Sequence, residues 1–162
     1  MKKLAMAAGL ALGIASGSAL AQGFNQDNLY AGAGISLNSL SGFDDAVGFQ
    51  IFGGYKLDTL NLDPVKLAVE VGYMDSGDFE ANYWFGKVEA NVSGVWASAV
   101  ASYPLTPELN LLGRLGLDFG DDDGLLLGAG VGYTVSKEIE LRAEYVIRDN
   151  VDSLQANFVY HF

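Results

Sequence analysis

Few residues in this 162-residue chain carry the chemistry of catalysis or ligation. There is no cysteine, which excludes a disulfide scaffold, a thiolate zinc site and a cysteine nucleophile. The single histidine, His161, stands one residue from the end of the sequence. A serine–histidine hydrolase needs a nucleophile and an acidic orienter around such an imidazole. No Ser-rich motif accompanies His161, so it reads as a rim histidine bonded to a neighbour, and no enzyme activity is expected. The run Asp121-Asp122-Asp123-Gly124 lacks the alternating acids and the twelfth-position Glu of a calcium loop and reads as a solvated turn. Gly128-Ala129-Gly130-Val131-Gly132 has a period of two and no following helix, unlike a nucleotide-binding glycine loop. Neither a metal nor a cofactor is therefore expected.

What remains is charge at particular positions. Lys56, Glu70, Arg114, Glu140, Arg142 and Glu144 each lie among apolar neighbours with a period of two. Successive strand side chains point to opposite faces, so alternation of this kind gives one greasy face and one polar face. The clearest case is Ile139, Leu141, Ala143, Tyr145 and Ile147, interleaved with Glu138, Glu140, Arg142, Glu144 and Arg148, with Val146 as the exception. Leu154, Ala156, Phe158, Tyr160 and Phe162 alternate in the same way with Ser153, Gln155, Asn157, Val159 and His161. Comparable segments start near Leu29, Val47, Leu67, Leu109 and Leu125. An eighth, between Val88 and Tyr103, has ambiguous parity that a bulge near Ser93-Gly94 would reconcile. Eight segments of about ten residues result, joined by turn signals. The connections Asn38–Asp45, Asp75–Gly86, Gly120–Gly124 and Asp149–Asp152 are acidic. Those at Leu57–Pro64, Pro104–Glu108 and Ser136–Lys137 form a second, mostly shorter set.

The start of the chain is of another kind. Met1-Lys2-Lys3, an apolar run from Leu4 to Ala15 and the small residues before Gln22 form the pattern of a secretory signal peptide, residues 1–21, cleaved after Ala21. Residues 22–162 are then the mature domain. Loss of Lys2 and Lys3 makes a chain of formal charge -11 still more acidic, which argues against nucleic acid as a partner.

An eight-stranded sheet with one apolar face buries it inside, as lipocalins do, or turns it outward to lipid. Three observations favour lipid. The polar face is rich in Gly, as suits a narrow interior. The segments have about the nine to eleven residues of a tilted bilayer crossing. The only tryptophans, Trp84 and Trp96, do not form the early Gly-x-Trp of lipocalins. The fold class is therefore all-β, an eight-stranded antiparallel up-and-down transmembrane β-barrel.

The end of the chain, Asn157-Phe158-Val159-Tyr160-His161-Phe162, resembles the C-terminal signal of bacterial outer-membrane proteins. Residues 22–162 are similar as a whole to the small OmpA/OmpX-like outer-membrane barrel family. Leu29-Tyr30-Ala31-Gly32-Ala33-Gly34 and the stretches Tyr103–Thr106 and Gly113–Gly116 carry the likeness, and no peptidoglycan-binding domain is expected after the barrel. The resemblance implies the bacterial outer membrane as location and a monomer in contact with outer-membrane lipid and lipopolysaccharide. It also implies that Phe158, Tyr160 and Phe162 are read by the barrel assembly machinery. A mainly structural or surface-presenting barrel with short acidic extracellular loops is the expected role, the alternatives being a surface adhesin or a narrow gated channel. Inside, Lys56, Glu70, Arg114, Glu140, Arg142 and Glu144 project into a narrow lumen and must pair or hold water. They form either a plug or a salt-bridge gate, and the small strand number favours the plug.

Overall fold

The computed structural model describes residues 25–162 except 59, 61, 85 and 122, so the expected leader lies outside the described residues. After a 3₁₀ turn at Gln26–Asn28 come eight strands: β1 (Leu29–Leu40), β2 (Ala46–Lys56), β3 (Lys66–Tyr83), β4 (Gly86–Pro104), β5 (Leu109–Gly120), β6 (Gly124–Thr134), β7 (Ile139–Ile147) and β8 (Val151–His161). Each pairs antiparallel with the next, and β1 pairs with β8 from Tyr30↔His161 to Leu40↔Val151. The result is the closed up-and-down barrel that the alternation predicts. Closure satisfies the hydrogen-bonding edges of the strands within the wall, as a sheet surrounded by hydrocarbon requires.

The two faces sort by parity. Ile35, Val47, Leu115, Leu125, Leu141 and Leu154 stand exposed on the outside, whereas Gln50, Glu70, Arg142, Glu144 and Gln155 are buried inside. An apolar band encircling a barrel is ill suited to water and well suited to lipid. The interior is nevertheless not simply polar. Tyr30, Phe52, Met74, Trp96, Leu126, Val146 and Val159 form an apolar cluster within it.

Two expectations need correction. The segment Asp75–Gly86 is not a loop, because β3 runs on to Tyr83 and β4 starts at Gly86. These strands have 18 and 19 residues. At about 3.3 Å per residue each spans about 60 Å, well beyond what a tilted crossing needs. Nor is there a bulge at Ser93-Gly94. The irregularity lies in β3, between the pairs Asp75↔Ser93 and Asp78↔Asn91. Gly77 adopts a φ of +75° there, and its amide donates to Asp75 Oδ1 at 2.9 Å. Strand β4 keeps one parity throughout: Ala90 and Val92 pack inside with the later even positions, while Val95, Ala97 and Ala99 point outward. The apolar residues change face along β4; the backbone does not.

The start of β1, the end of β8 and the turns 57–65, 105–108 and 135–138 lie at one end of the barrel, called here the terminal end. The opposite, acidic end carries the turns 41–45, 121–123 and 148–150 and the long β3–β4 arm. Turn length does not distinguish the two ends, since residues 57–65 make a nine-residue connection at the terminal end. The asymmetry resides in the strands of the arm.

Candidate functional site in the barrel lumen

All three arginines of the chain, Arg114, Arg142 and Arg148, point into the lumen and are buried there. The lysines are distributed differently: Lys66 and Lys137 are exposed, and Lys56 is half-buried at the end of β2. A guanidinium cannot shed its charge and offers donors in a planar fork, so its placement indoors demands carboxylates in matching geometry.

Five side chains meet that demand in a chain of alternating sign, Glu140–Arg142–Glu70–Arg114–Glu144. Arg142 lies 3.1 Å from Glu140 through Nε and 2.6 Å from Glu70 through Nη1. Arg114 Nη1 is 2.6 Å from the other Glu70 oxygen. On its opposite side Arg114 grips Glu144 with two hydrogen bonds, of 2.9 and 3.1 Å. Tyr30 donates its hydroxyl to Glu70 at 2.7 Å, and Ser98 accepts from Arg114 at 3.0 Å. The guanidinium faces are covered as well, Arg114 by Trp96 at 4.9 Å and Arg142 by Tyr30 at 5.3 Å. Bidentate contact, neutral donors and aromatic cover together make it possible to hold five charges out of bulk water.

Glycine makes room for this network. Arg114 is on β5 and Glu144 on β7, so their bridge passes over β6, whose inward row is Gly128, Gly130 and Gly132. A Cβ on Gly130 would lie 2.8 Å from the Glu144 Cα and would meet the Ala143 carbonyl more closely still. Any larger residue there pushes β7 away and breaks the bridge.

A second ionic group sits nearer the acidic end. Arg148 Nε is 2.9 Å from Asp118 Oδ2, and its Nη1 donates to Ser153 Oγ at 3.0 Å. Ser153 donates to Asn38 Oδ1 at 2.6 Å, and Asn38 in turn donates to Ser36 Oγ and to the Ser76 carbonyl, each at 2.9 Å. Along β7 and the residue that follows it the inward row runs Glu140, Arg142, Glu144, Val146, Arg148, so Val146 separates the two groups. Leu126, paired with Gly116, has the same place between Arg114 and Asp118.

Of the residues singled out from sequence, Glu70, Arg114, Glu140, Arg142 and Glu144 are brought together. Lys56 shares their inward phase but forms no ion pair with another described residue. Asp118 and Arg148 were not singled out, yet a signal for them exists. They lie four residues on from Arg114 and Glu144, Asp118 in β5 and Arg148 just past the end of β7, with the signs exchanged. His161 Nε2 is 3.0 Å from Glu140 Oε2, and its ring packs on Tyr30 at 5.2 Å. Among the described residues no serine is hydrogen-bonded to it. Asp121 accepts from the amide and hydroxyl of Ser93, and no group of three metal-ligating side chains occurs among the described residues. Phe158, Tyr160 and Phe162 stand exposed on the outer wall at the terminal end, with Tyr160 and Phe162 edge to face.

Compared with known proteins, the chain matches the model of the outer membrane protein beta-barrel domain over residues 7–162. Curated sequences provide no match. Among solved structures, a de novo designed transmembrane β-barrel superposes with a TM-score of 0.59 at 19% identity, covering 86% of this chain and 98% of the design. Ail, the attachment invasion locus protein of Yersinia pestis, solved with the heparin analogue sucrose octasulfate, gives 0.52 at 15% identity, covering 83% and 96%. At these identities the likeness is one of fold.

The pairing pattern fixes the outcome of removing one arginine. Arg142→Ala leaves Glu70 and Glu140 short of their shared cation, at an expected cost of about 3–5 kcal/mol, less where water enters. Adding Glu140→Gln should recover part of the loss, because the amide needs no counter-charge, whereas Glu144→Gln should recover less, Glu144 being held by Arg114. Urea midpoints of the barrel refolded in vesicles decide this, and equal recovery by both second substitutions would contradict the pairing.

Proposed function

The chain belongs to the outer membrane protein beta-barrel domain family, and we propose that within it this barrel is a structural and surface-presenting protein with a plugged lumen. The observation that carries the reading is the stacking of lumen contents: the five-member ionic chain with Tyr30 and Trp96 against its guanidinium groups, then Val146 and Leu126, then the Asp118–Arg148 pair. A hydrated ion moving along this axis has to displace paired charges and then cross an apolar layer. Each step carries a desolvation cost in a wall only eight strands round. A plug also stiffens the wall, since it ties β3, β5 and β7 across the interior.

The second half of the proposal concerns the acidic end as the outward-facing surface. Asp44 and Asp45, Asp78, Glu80 and Glu89 on the arm, Asp121 and Asp123, and Asp149 and Asp152 belong to this end. Such a field repels polyanions. A ligand like the sulfated one in the Ail structure is therefore a poor fit for this barrel, and neutral or cationic surfaces suit it better. The outer apolar band contacts membrane lipid, and Phe158, Tyr160 and Phe162 form the segment read during assembly, as the alternating aromatics at the end of β8 suggest.

Three measurements test these points. In planar bilayers the purified barrel should show conductance near background, and a large steady conductance would replace the plug with a channel. A protease site inserted after Asp121 should be cut on intact cells and one after Thr106 should not; the reverse pattern inverts the orientation. Phe162→Asp should lower the yield of folded outer-membrane protein several-fold while export across the inner membrane continues. Normal yield from that variant removes the terminal signal.

A further inference from the structure

The β3–β4 arm extends beyond the strand ladders that close the barrel. The ladder from β3 to β2 ends at Asp75↔Phe49, and that from β4 to β5 ends at Gly94↔Gly120. Beyond these points β3 and β4 pair with each other from Asp78↔Asn91 to Tyr83↔Gly86. A two-stranded hairpin is only marginally stable on its own in water, so what it touches decides its position.

At the base of β4, Ser93 is tied to Asp121 of the β5–β6 turn, whose carboxylate accepts from its amide and whose amide donates to its carbonyl, and further contacts hold the arm at the mouth. Phe79 is completely buried against Ala46 and Val151, with Leu40, Phe43, Ala90 and Val92 packed around it at the mouth of the acidic end. The Asp44 amide donates to the Glu80 carbonyl at 2.9 Å. At the base of the arm, the bulge at Ser76–Gly77 is held from within the lumen, because Asn38 Nδ2 donates to the Ser76 carbonyl and Ser76 Oγ accepts from the Val92 amide, both at 2.9 Å. Asn38 is the end of the chain of hydrogen bonds that starts at Asp118 and passes through Arg148 and Ser153.

The bulge matters because it reverses the parity of β3. Before it the inward residues are Gly72, Met74 and Ser76; after it the inward residue is Phe79. An extra residue in one strand re-aims the side chains beyond it and bends the strand. Without the bulge, Phe79 would face away from the mouth and Asp78 would face into it.

We propose that the β3–β4 arm is a hinged lid on the mouth of the barrel, with the Ser76–Gly77 bulge as hinge, Phe79 as stopper and the Asn38–Ser153–Arg148 chain as a latch operated from the lumen. The lid opens without unfolding the wall, since the contacts named here lie at the mouth and at the base of the arm, outside the ladders that close the barrel, and local opening belongs to segments of this kind. The inference does not depend on the lumen being plugged. It concerns access to the mouth above the ionic groups, and it stands or falls separately from the conductance result.

The absence of cysteine gives a clean probe. Val151→Cys places one thiol beneath Phe79 without touching a hydrogen bond of the latch. In the barrel folded in detergent micelles, a charged methanethiosulfonate reagent should label this thiol slowly. Asn38→Ala covers none of Val151 but removes the latch, and should speed labelling about tenfold, the usual effect of losing a buried hydrogen bond or two. Hydrogen exchange should rise with it in residues 78–91 and not in β6 or β7. Ser76→Ala, which loosens the hinge from the other side, should act in the same direction, and heat-modifiable migration on gels verifies that each variant is folded. Locking the arm with Asp44→Cys and Glu80→Cys, in a chain without the reporter, should suppress exchange in the arm until a reductant is added. Labelling within about twofold of the reporter alone in both the Asn38 and Ser76 variants overturns the lid, as does exchange that rises equally throughout the barrel.

Discussion

Glu70 receives a tyrosine hydroxyl and two guanidinium groups, from strands β1, β5 and β7, while itself projecting from β3. Four of the eight strands thus converge on one carboxylate near the axis. Interior side chains in a barrel this narrow meet partners from across the lumen rather than from the neighbouring strand, and the geometry leaves no room for a charge with nothing to pair with. The other lumen features are arranged around this convergence. Trp96 and Tyr30 roof the guanidinium faces, Ser98 takes up a remaining donor, and the glycine row of β6 lets the Arg114–Glu144 bridge pass.

Much of this was readable before any coordinates. Strict alternation in β7 and β8 assigns each side chain to a face, because a strand cannot turn one residue round without turning them all. The charged residues of β7 were therefore inward by arithmetic, and Glu140 and Arg142, two apart on one strand, were neighbours by necessity. Which carboxylate meets which arginine across the lumen was not readable. Whether Glu70 meets one arginine or both depends on stagger and diameter, which arise from the pairing of all eight strands. The apolar share of the lumen was hidden for a related reason. Leu126, Val146 and Val159 look like lapses in the alternation, yet Leu126 and Val146 are the layer between the two ionic groups and Val159 packs beside Glu140 at the terminal end.

The arm was misread for a local reason. Asp75-Ser76-Gly77-Asp78 has the composition of a turn, and turn residues do sit there: Gly77 has positive φ and Asp75 accepts from its amide. The chemistry serves a bulge within a continuing strand instead of a reversal of the chain. The actual reversal falls next to Trp84, in a stretch of aromatic residues that looks like strand. Composition identified the unusual backbone correctly and could not tell one extra residue from a change of direction.

Closure of β1 on β8 has a consequence for the history of the molecule. The two strands that seal the wall are the first and the last of the barrel, Tyr30 pairing with His161. Until the final segment has been synthesised and delivered, both edges are raw, and each is a template for any passing strand. The pairing that ends this vulnerability has nearly the greatest sequence separation the domain allows, the kind of contact that forms slowly because the chain must first be brought round on itself. The barrel is thus most at risk of aggregating in transit, before it reaches the bilayer.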